Sequence, residues 1–173
     1  MTTLTSMSGD FAKAYDEQVY NVYGFFAYRV RCRDDAEDLT QRTFERALQA
    51  WRRFDPQRAP VGVWLLAIAR NLLVDHYRAD TSSRHRPLDE VEEERLGSEA
   101  PAPDLGIDPE LAEALATLSP RDREVVALRF GGDLTGPEIA ELTGLTLANV
   151  QQILSRSLRR LRAALEGEHV GRT

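Results

Sequence analysis

Asn149, Gln152, Arg156, Arg159 and Arg160 recur down one side of a stretch that otherwise reads as an amphipathic helix. Amide and guanidinium side chains present the paired groups that fork onto adenine and guanine edges in a DNA major groove. Between Val150 and Leu165 there are four arginines and no acid. Asn149, Gln152 and Arg156 are the candidate base readers. Arg159 and Arg160 suit phosphates, which position a protein without specifying sequence. A solvated face on an ordinary helix has a similar composition, so the weight falls on the elements that hold these residues.

Those elements read as a helix-turn-helix. Thr135-Gly136-Pro137-Glu138 is a capping box with proline in the first turn. A short helix follows, Gly144 supplies a positive-φ turn, and Thr146 is positioned to cap a second, longer helix. Leu147, Val150, Leu154, Leu158, Leu161 and Leu165 would form its apolar stripe. Two helices joined by a turn of three or four residues containing glycine are how many DNA-reading units are built.

Catalytic chemistry finds no support. His76, His85 and His169 are scattered, the acids at 89–94 form one linear run broken only by Val91, and no glycine-rich phosphate loop follows a strand. No metal, no cofactor and no enzymatic activity are expected. Two binding readings stay open beside DNA-directed assembly: a self-sufficient regulator with residues 10–80 as its sensing or dimerising part, and an adaptor that sequesters a partner protein.

The 173 residues carry a formal charge of −6, which at first argues against nucleic acid. Its distribution reverses the argument. Residues 87–113 hold ten acids against Arg95 alone, so this connector supplies more than the whole negative excess, while the segments on either side are neutral or basic. Lys13 is the only lysine; arginine, the better bidentate partner, carries the rest of the positive charge. Cys32 is the only cysteine, which excludes an internal disulfide, fits a reducing cytoplasm, and reads as a small residue near a helix end. No run approaches the roughly 20 apolar residues of a membrane span, and the polar first ten residues lack a signal-peptide core.

The chain therefore reads as all-α, with two small helical domains joined by a flexible acidic linker. Residues 10–80 offer three helices, at about 10–31, 34–53 and 61–79, with a loop over 54–60. In the first, Tyr15, Val22, Phe25 and Phe26 face inward; in the third, Leu65, Ile68, Leu72 and Val74 do. Residues 81–108, rich in proline, glycine and acid, cannot build a core and form the linker. Residues 109–166 begin with a short helix. A second helix follows, capped by Ser119 with Pro120 behind it, and runs to Gly131-Gly132 ahead of the helix-turn-helix. Each domain has a thin core. Whether the two pack together is open at this level.

Two stretches resemble a known family. Asp35-Ala36-Glu37-Asp38-Leu39-Thr40-Gln41-Arg42-Thr43-Phe44, followed by Trp64 through Arg78, looks like region 2 of the extracytoplasmic-function (ECF) sigma factors, group 4 of the sigma-70 family. Leu118-Ser119-Pro120-Arg121-Asp122-Arg123-Glu124-Val125-Val126 with the helix-turn-helix looks like their region 4. The resemblance implies a cytoplasmic transcription initiation factor that binds core RNA polymerase. Asp35, Asp38, Leu39, Gln41 and Phe44 would dock on the clamp helices of the largest polymerase subunit, and region 4 would meet the flap of the second largest. The −10 element, opened to single strands, would be engaged by Phe54, Arg58, Trp64, Arg70, Asn71, Asp75, Tyr77 and Arg78. Aromatic faces can contribute about 1–3 kcal/mol per stacked base, although Trp64 suits a core position too and Arg70 suits an internal ion pair. The double-stranded −35 element would be read by region 4, with Thr146, Gln151 and Ser155 added to the five residues above; Gln151 and Ser155 lie nearer the predicted stripe. An anti-sigma factor is an implied partner. The acidic linker reads as a solvated tether or as a strand threading a basic polymerase channel. The chain departs from the family pattern at Leu66, Ala67, Gln151, Ile153 and Leu158.

Overall fold

A computed structural model describes residues 2–83 and 106–170. Residues 84–105 of the expected linker lie outside them, while 81–83 belong to the end of a helix. The described residues are helical: α1 (Thr2–Ala27), α2 (Arg33–Ala50), α3 (Val61–Ser83), α4 (Pro109–Ala116), α5 (Pro120–Val126), α6 (Gly136–Thr143) and α7 (Leu147–Val170).

Local chemistry sets the helix boundaries. Helix α1 stops at Ala27, four residues before the expected end, where the Arg29 amide tightens onto the Phe26 carbonyl three residues back at 2.8 Å. Val30, beyond the helix, still reaches the core. Helix α2 is capped by Cys32, whose Sγ accepts the Asp35 amide at 3.4 Å. Burial, then the hydrogen bond to Asp35, pushes the Cys32 thiol above its ordinary range, so it remains a protonated cap and a poor nucleophile. Asp34 and Asp35 occupy the first turn, where the helix dipole favours negative charge. A 3₁₀ turn, Trp51–Arg53, closes α2. Helix α3 runs four residues past the expected 79.

The second half follows its caps closely. Asp108 caps α4 by accepting the Glu110 amide at 2.8 Å, and Ser119 caps α5 by accepting the Asp122 amide at 3.1 Å. A π-helical turn, Ala127–Gly131, continues α5. The Thr135 capping box is complete: the Glu138 carboxylate accepts from the Thr135 amide at 2.8 Å, and the Glu138 amide donates to the Thr135 hydroxyl at 3.5 Å. Gly144 adopts φ 71°, and the Thr146 hydroxyl accepts the Asn149 amide at 3.2 Å. Thr135→Ala should cost about 1 kcal/mol and lower the thermal midpoint by about 2–4 °C, measurable by circular dichroism.

The packing of the two halves, left open by the sequence, takes the form of a shared core. Val22, Phe25, Leu39, Leu65, Leu66 and Leu72 of the first half form one continuous buried cluster with Val125, Leu128, Leu134, Ile139 and Val150 of the second. A smaller cluster belongs mainly to the second half, where Leu115, Leu118 and Val126 clamp α4 and α5 onto α7 at Leu161. The two modules are thus packed on each other. Two expectations about inward faces are corrected. Val74 and Tyr15 are exposed, 48% and 43%, because the buried faces of α1 and α3 turn toward Ala14 and Leu73 instead.

Candidate nucleic-acid and protein interfaces

Helix α7, the candidate recognition helix, is oriented by its own buried line. That line is Val150, Ile153, Ser157 and Leu161, flanked by the half-buried Leu154, Ala164 and Leu165. Leu147 and Leu158, expected in the stripe, are exposed, because Ile153 and Ser157 rotate the buried face away from them. Gln151 and Ser155 are consequently exposed, together with Thr146, Asn149, Gln152, Arg159 and Arg160. Geometrically, Gln152, Ser155 and Arg159 lie most directly opposite the buried line, at about 100° of helix per residue.

Arg156 is differently placed. Its Nη2 donates to both oxygens of Asp122, at 2.9 and 3.0 Å, and the Asp122 side chain is 7% exposed. The guanidinium therefore staples α7 to α5, with half of its surface still open to solvent. The same short stretch of sequence showed Asp122 only as an acid near a helix N-terminus. The buried pairing is a tertiary relation that spacing cannot show.

The candidate −10 residues divide into four groups. Phe54 and Trp64 join Trp51 in an aromatic cluster, with ring centroids 5.1 Å apart for Trp51–Phe54 and 4.9 Å for Phe54–Trp64. Both are half-buried, so each offers an edge and keeps the rest in packing. Asn71 and Asp75 lie on the open side of α3. Asn71 borders a shallow hollow with Arg46, Gln49, Arg53 and Ile68, and Asp75 lies 3.7 Å from Arg46. Arg58 and Arg78 are exposed. Tyr77 and Arg70 are tied down. The Tyr77 hydroxyl donates to the Arg29 carbonyl at 2.6 Å. Arg70 donates through Nε to Glu124 at 2.8 Å and through Nη1 to the Leu142 carbonyl at 2.7 Å.

The expected polymerase face lies on α2. Asp38 and Gln41 are exposed and Asp35 is half-buried. Leu39 is fully buried and Phe44 nearly so, at 0% and 5%. Leu39 therefore holds α2 in place and offers no surface to a partner. Phe44 forms the floor of an open groove of about 680 Å³ between α1 and α2, lined also by Phe11, Tyr15, Tyr20, Gln41 and Leu48. The α1 aromatics lining this groove were not among the candidate residues, since their spacing reads as core; Tyr20 is 83% exposed.

The modules meet through backbone as well as side chains. Arg29 donates to the Pro120 carbonyl and Arg123 to the Tyr28 carbonyl, both at 2.7 Å. Burial lowers the Arg123 guanidinium from its ordinary value and raises the Tyr28 phenol. Leu66, one of the departures from the family pattern, is buried against Gly132, where a Cβ would come within 2.7 Å of its Cδ1. Among the described residues there is no cluster of metal-ligating side chains, and no helix is long and apolar enough to cross a membrane.

Comparison with known proteins agrees with this arrangement of elements. The family model of Sigma-70 region 2 matches residues 12–83, and that of Sigma-70, region 4 matches residues 114–163. The chain is 35% identical over 158 residues to the ECF RNA polymerase sigma factor BldN of Streptomyces coelicolor, covering 87% of this chain and 58% of that protein. It is 29% identical over 160 residues to the ECF RNA polymerase sigma factor RpoE of Cereibacter sphaeroides, covering 88% and 84%. Its fold is similar to that of the sigma factor RpoE from Bartonella quintana, solved in complex with the anti-sigma factor NepR. The TM-score is 0.68 at 23% identity, over 91% of this chain and 97% of that one. With both sigma modules matched in order along the helices described above, the chain belongs to the extracytoplasmic-function sigma factors of the sigma-70 family.

Proposed function

We propose that this chain is a non-enzymatic initiation factor that binds core RNA polymerase and directs it to promoters through their −10 and −35 elements. The observation that carries this is the presence, in one chain and in the family's order, of a region 2 and a region 4 module. Residues 10–80 would bind the polymerase and open the −10 element, 81–108 would link, and 109–166 would read −35. The cytoplasm, where polymerase and chromosome are, is its place of action. An anti-sigma factor is a further partner, as for the Bartonella quintana protein.

Residue roles follow exposure. Gln152, Asn149, Gln151 and Ser155 are available as base readers, with Arg159 and Arg160 on phosphates and Thr146 at the helix start. Phe54, Trp64, Asn71, Asp75, Arg58 and Arg78 form the −10 face, while Arg70 and Tyr77 become available to DNA only after leaving their present partners. Asp35, Asp38 and Gln41 meet the clamp helices beside the Phe44 groove. The test is transcription in vitro: core polymerase with the purified chain should initiate at a promoter that core alone ignores, and no initiation at any genomic promoter would sink the reading. Within it, Gln152→Ala should reduce −35 discrimination by about 1–3 kcal/mol, roughly 5- to 150-fold. Arg159→Ala should instead weaken all sequences alike and flatten the salt dependence; run-off assays on −35 variants separate the two.

A further inference from the structure

Leu147 is the first residue of α7 and is 41% exposed. A single exposed leucine is ordinary on a protein surface, but the place of this one is not. In a helix-turn-helix the N-terminal residues of the second helix are those that meet base edges. Gln151 follows Leu147 one turn later and about 40° round the axis, so the two share one flank of the helix tip. Both are exposed.

The leucine is also seated. Gly136 begins α6, and its φ is not positive, so its backbone does not call for glycine. A Cβ there would come within 3.0 Å of the Leu147 Cδ1. The Leu147 side chain thus lies over the first turn of α6, and a side chain at position 136 would press on it. Leu158, also exposed on α7 at 45%, has no such place. It lies three turns on, about 16 Å along the axis, at the level of Arg159 and Arg160.

A leucine neither donates nor accepts a hydrogen bond. The major groove offers it one apolar mark, the C5-methyl of thymine. Against cytosine it would cover the N4 donor without accepting from it, which strands a polar group away from water.

We propose that Leu147 is a specificity-determining residue of region 4: it packs on the C5-methyl of one thymine in the −35 element, on either strand, beside the base met by Gln151. The assignment rests on the −35 reading given above and adds to it a residue and the chemical group it recognises.

The test uses holoenzyme assembled from core polymerase and the full-length chain, on a promoter fragment at which it initiates. Thymines of the −35 element, on both strands, are replaced one at a time by deoxyuridine, which pairs alike and lacks only the methyl. Competition binding should show one thymine whose replacement weakens the wild type about fourfold, the worth of one buried methyl. Leu147→Ala and Leu147→Gln should each bind the unmodified promoter more weakly and lose all response at that position. Leu147→Met and Leu158→Ala should keep the response. If either Leu147→Ala or Leu147→Gln loses helicity by circular dichroism, the other decides. A wild type indifferent to every replacement overturns the proposal, as does a −35 element with no thymine on either strand. A Leu147→Ala chain that still responds at that thymine overturns it too, and gives the methyl to the exposed Ala148 or Thr146. Loss of the response in Leu158→Ala as well would mean a general loosening of α7 and likewise overturns it. Initiation that is blind to the methyl sinks this proposal alone, whereas a holoenzyme that initiates at no genomic promoter sinks the initiation-factor reading and the proposal with it.

Discussion

Arg156→Ala should cost the free chain about 3 kcal/mol, the lower end of what breaking a buried ion pair costs, because half of the guanidinium surface meets water. The loss comes from the partner left behind. Asp122, 7% exposed, accepts both of its Arg156 hydrogen bonds from one nitrogen, and without them a carboxylate stays in a nearly dry site. The thermal midpoint should fall by about 6–12 °C. Adding Asp122→Ala to Arg156→Ala should recover most of this, since the stranded charge is gone. Asp122→Ala alone keeps the guanidinium and frees it. If Arg156 reads a base once unpinned, that variant should discriminate −35 sequences more sharply than the wild type. A staple with no further role leaves discrimination unchanged. A double variant no more stable than Arg156→Ala would show that the pair is not what holds α5 to α7.

Leu39→Ala should destabilise the chain by about 2–5 kcal/mol, because a fully buried leucine among α1, α2 and α3 leaves a cavity that rigid helices fill poorly. Leu39→Met, which preserves volume, should cost less than about 1.5 kcal/mol. Chemical denaturation measures both. The comparison also separates packing from contact. As a buried residue Leu39 shapes the docking face indirectly, so Leu39→Met should bind core polymerase like the wild type, while Gln41→Ala, exposed beside the groove, should bind more weakly. Weak binding by a stable Leu39→Met chain would return Leu39 to the contact surface.

What was legible in the sequence is what acts over a few residues. The Thr135 capping box, the Ser119-Pro120 start, the positive-φ turn at Gly144 and the Thr146 cap each depend on neighbours within four positions, and all four are present. Faces were harder. Ile153 and Ser157 displace Leu158 from the buried line of α7 because the docking of α4, α5 and α6 on α7 chooses the face, and a small serine packs on that line beside the exposed leucine. The identity of partners across the chain was not legible, although an internal ion pair was open to Arg70. Arg70 meets Glu124 from 54 positions away, and Gly24 meets Gly131 across the modules. The acidic linker, so conspicuous in composition, left the packing of the two halves open; the charge of a connector says nothing about whether the pieces it joins have complementary apolar faces, and Leu66 and Leu128 supply them.

Helix α7 is one uninterrupted rod of 24 residues, and its distal half is gripped by Leu115 and Leu118 through Leu161. Leu161 lies about 14 Å along the axis from Gln152. A swivel of roughly 15° at that grip sweeps the probing tip by about 3–4 Å, one rung of the duplex. Side chains that never approach DNA, at the α4 pivot, would in this way govern which rung the tip lands on.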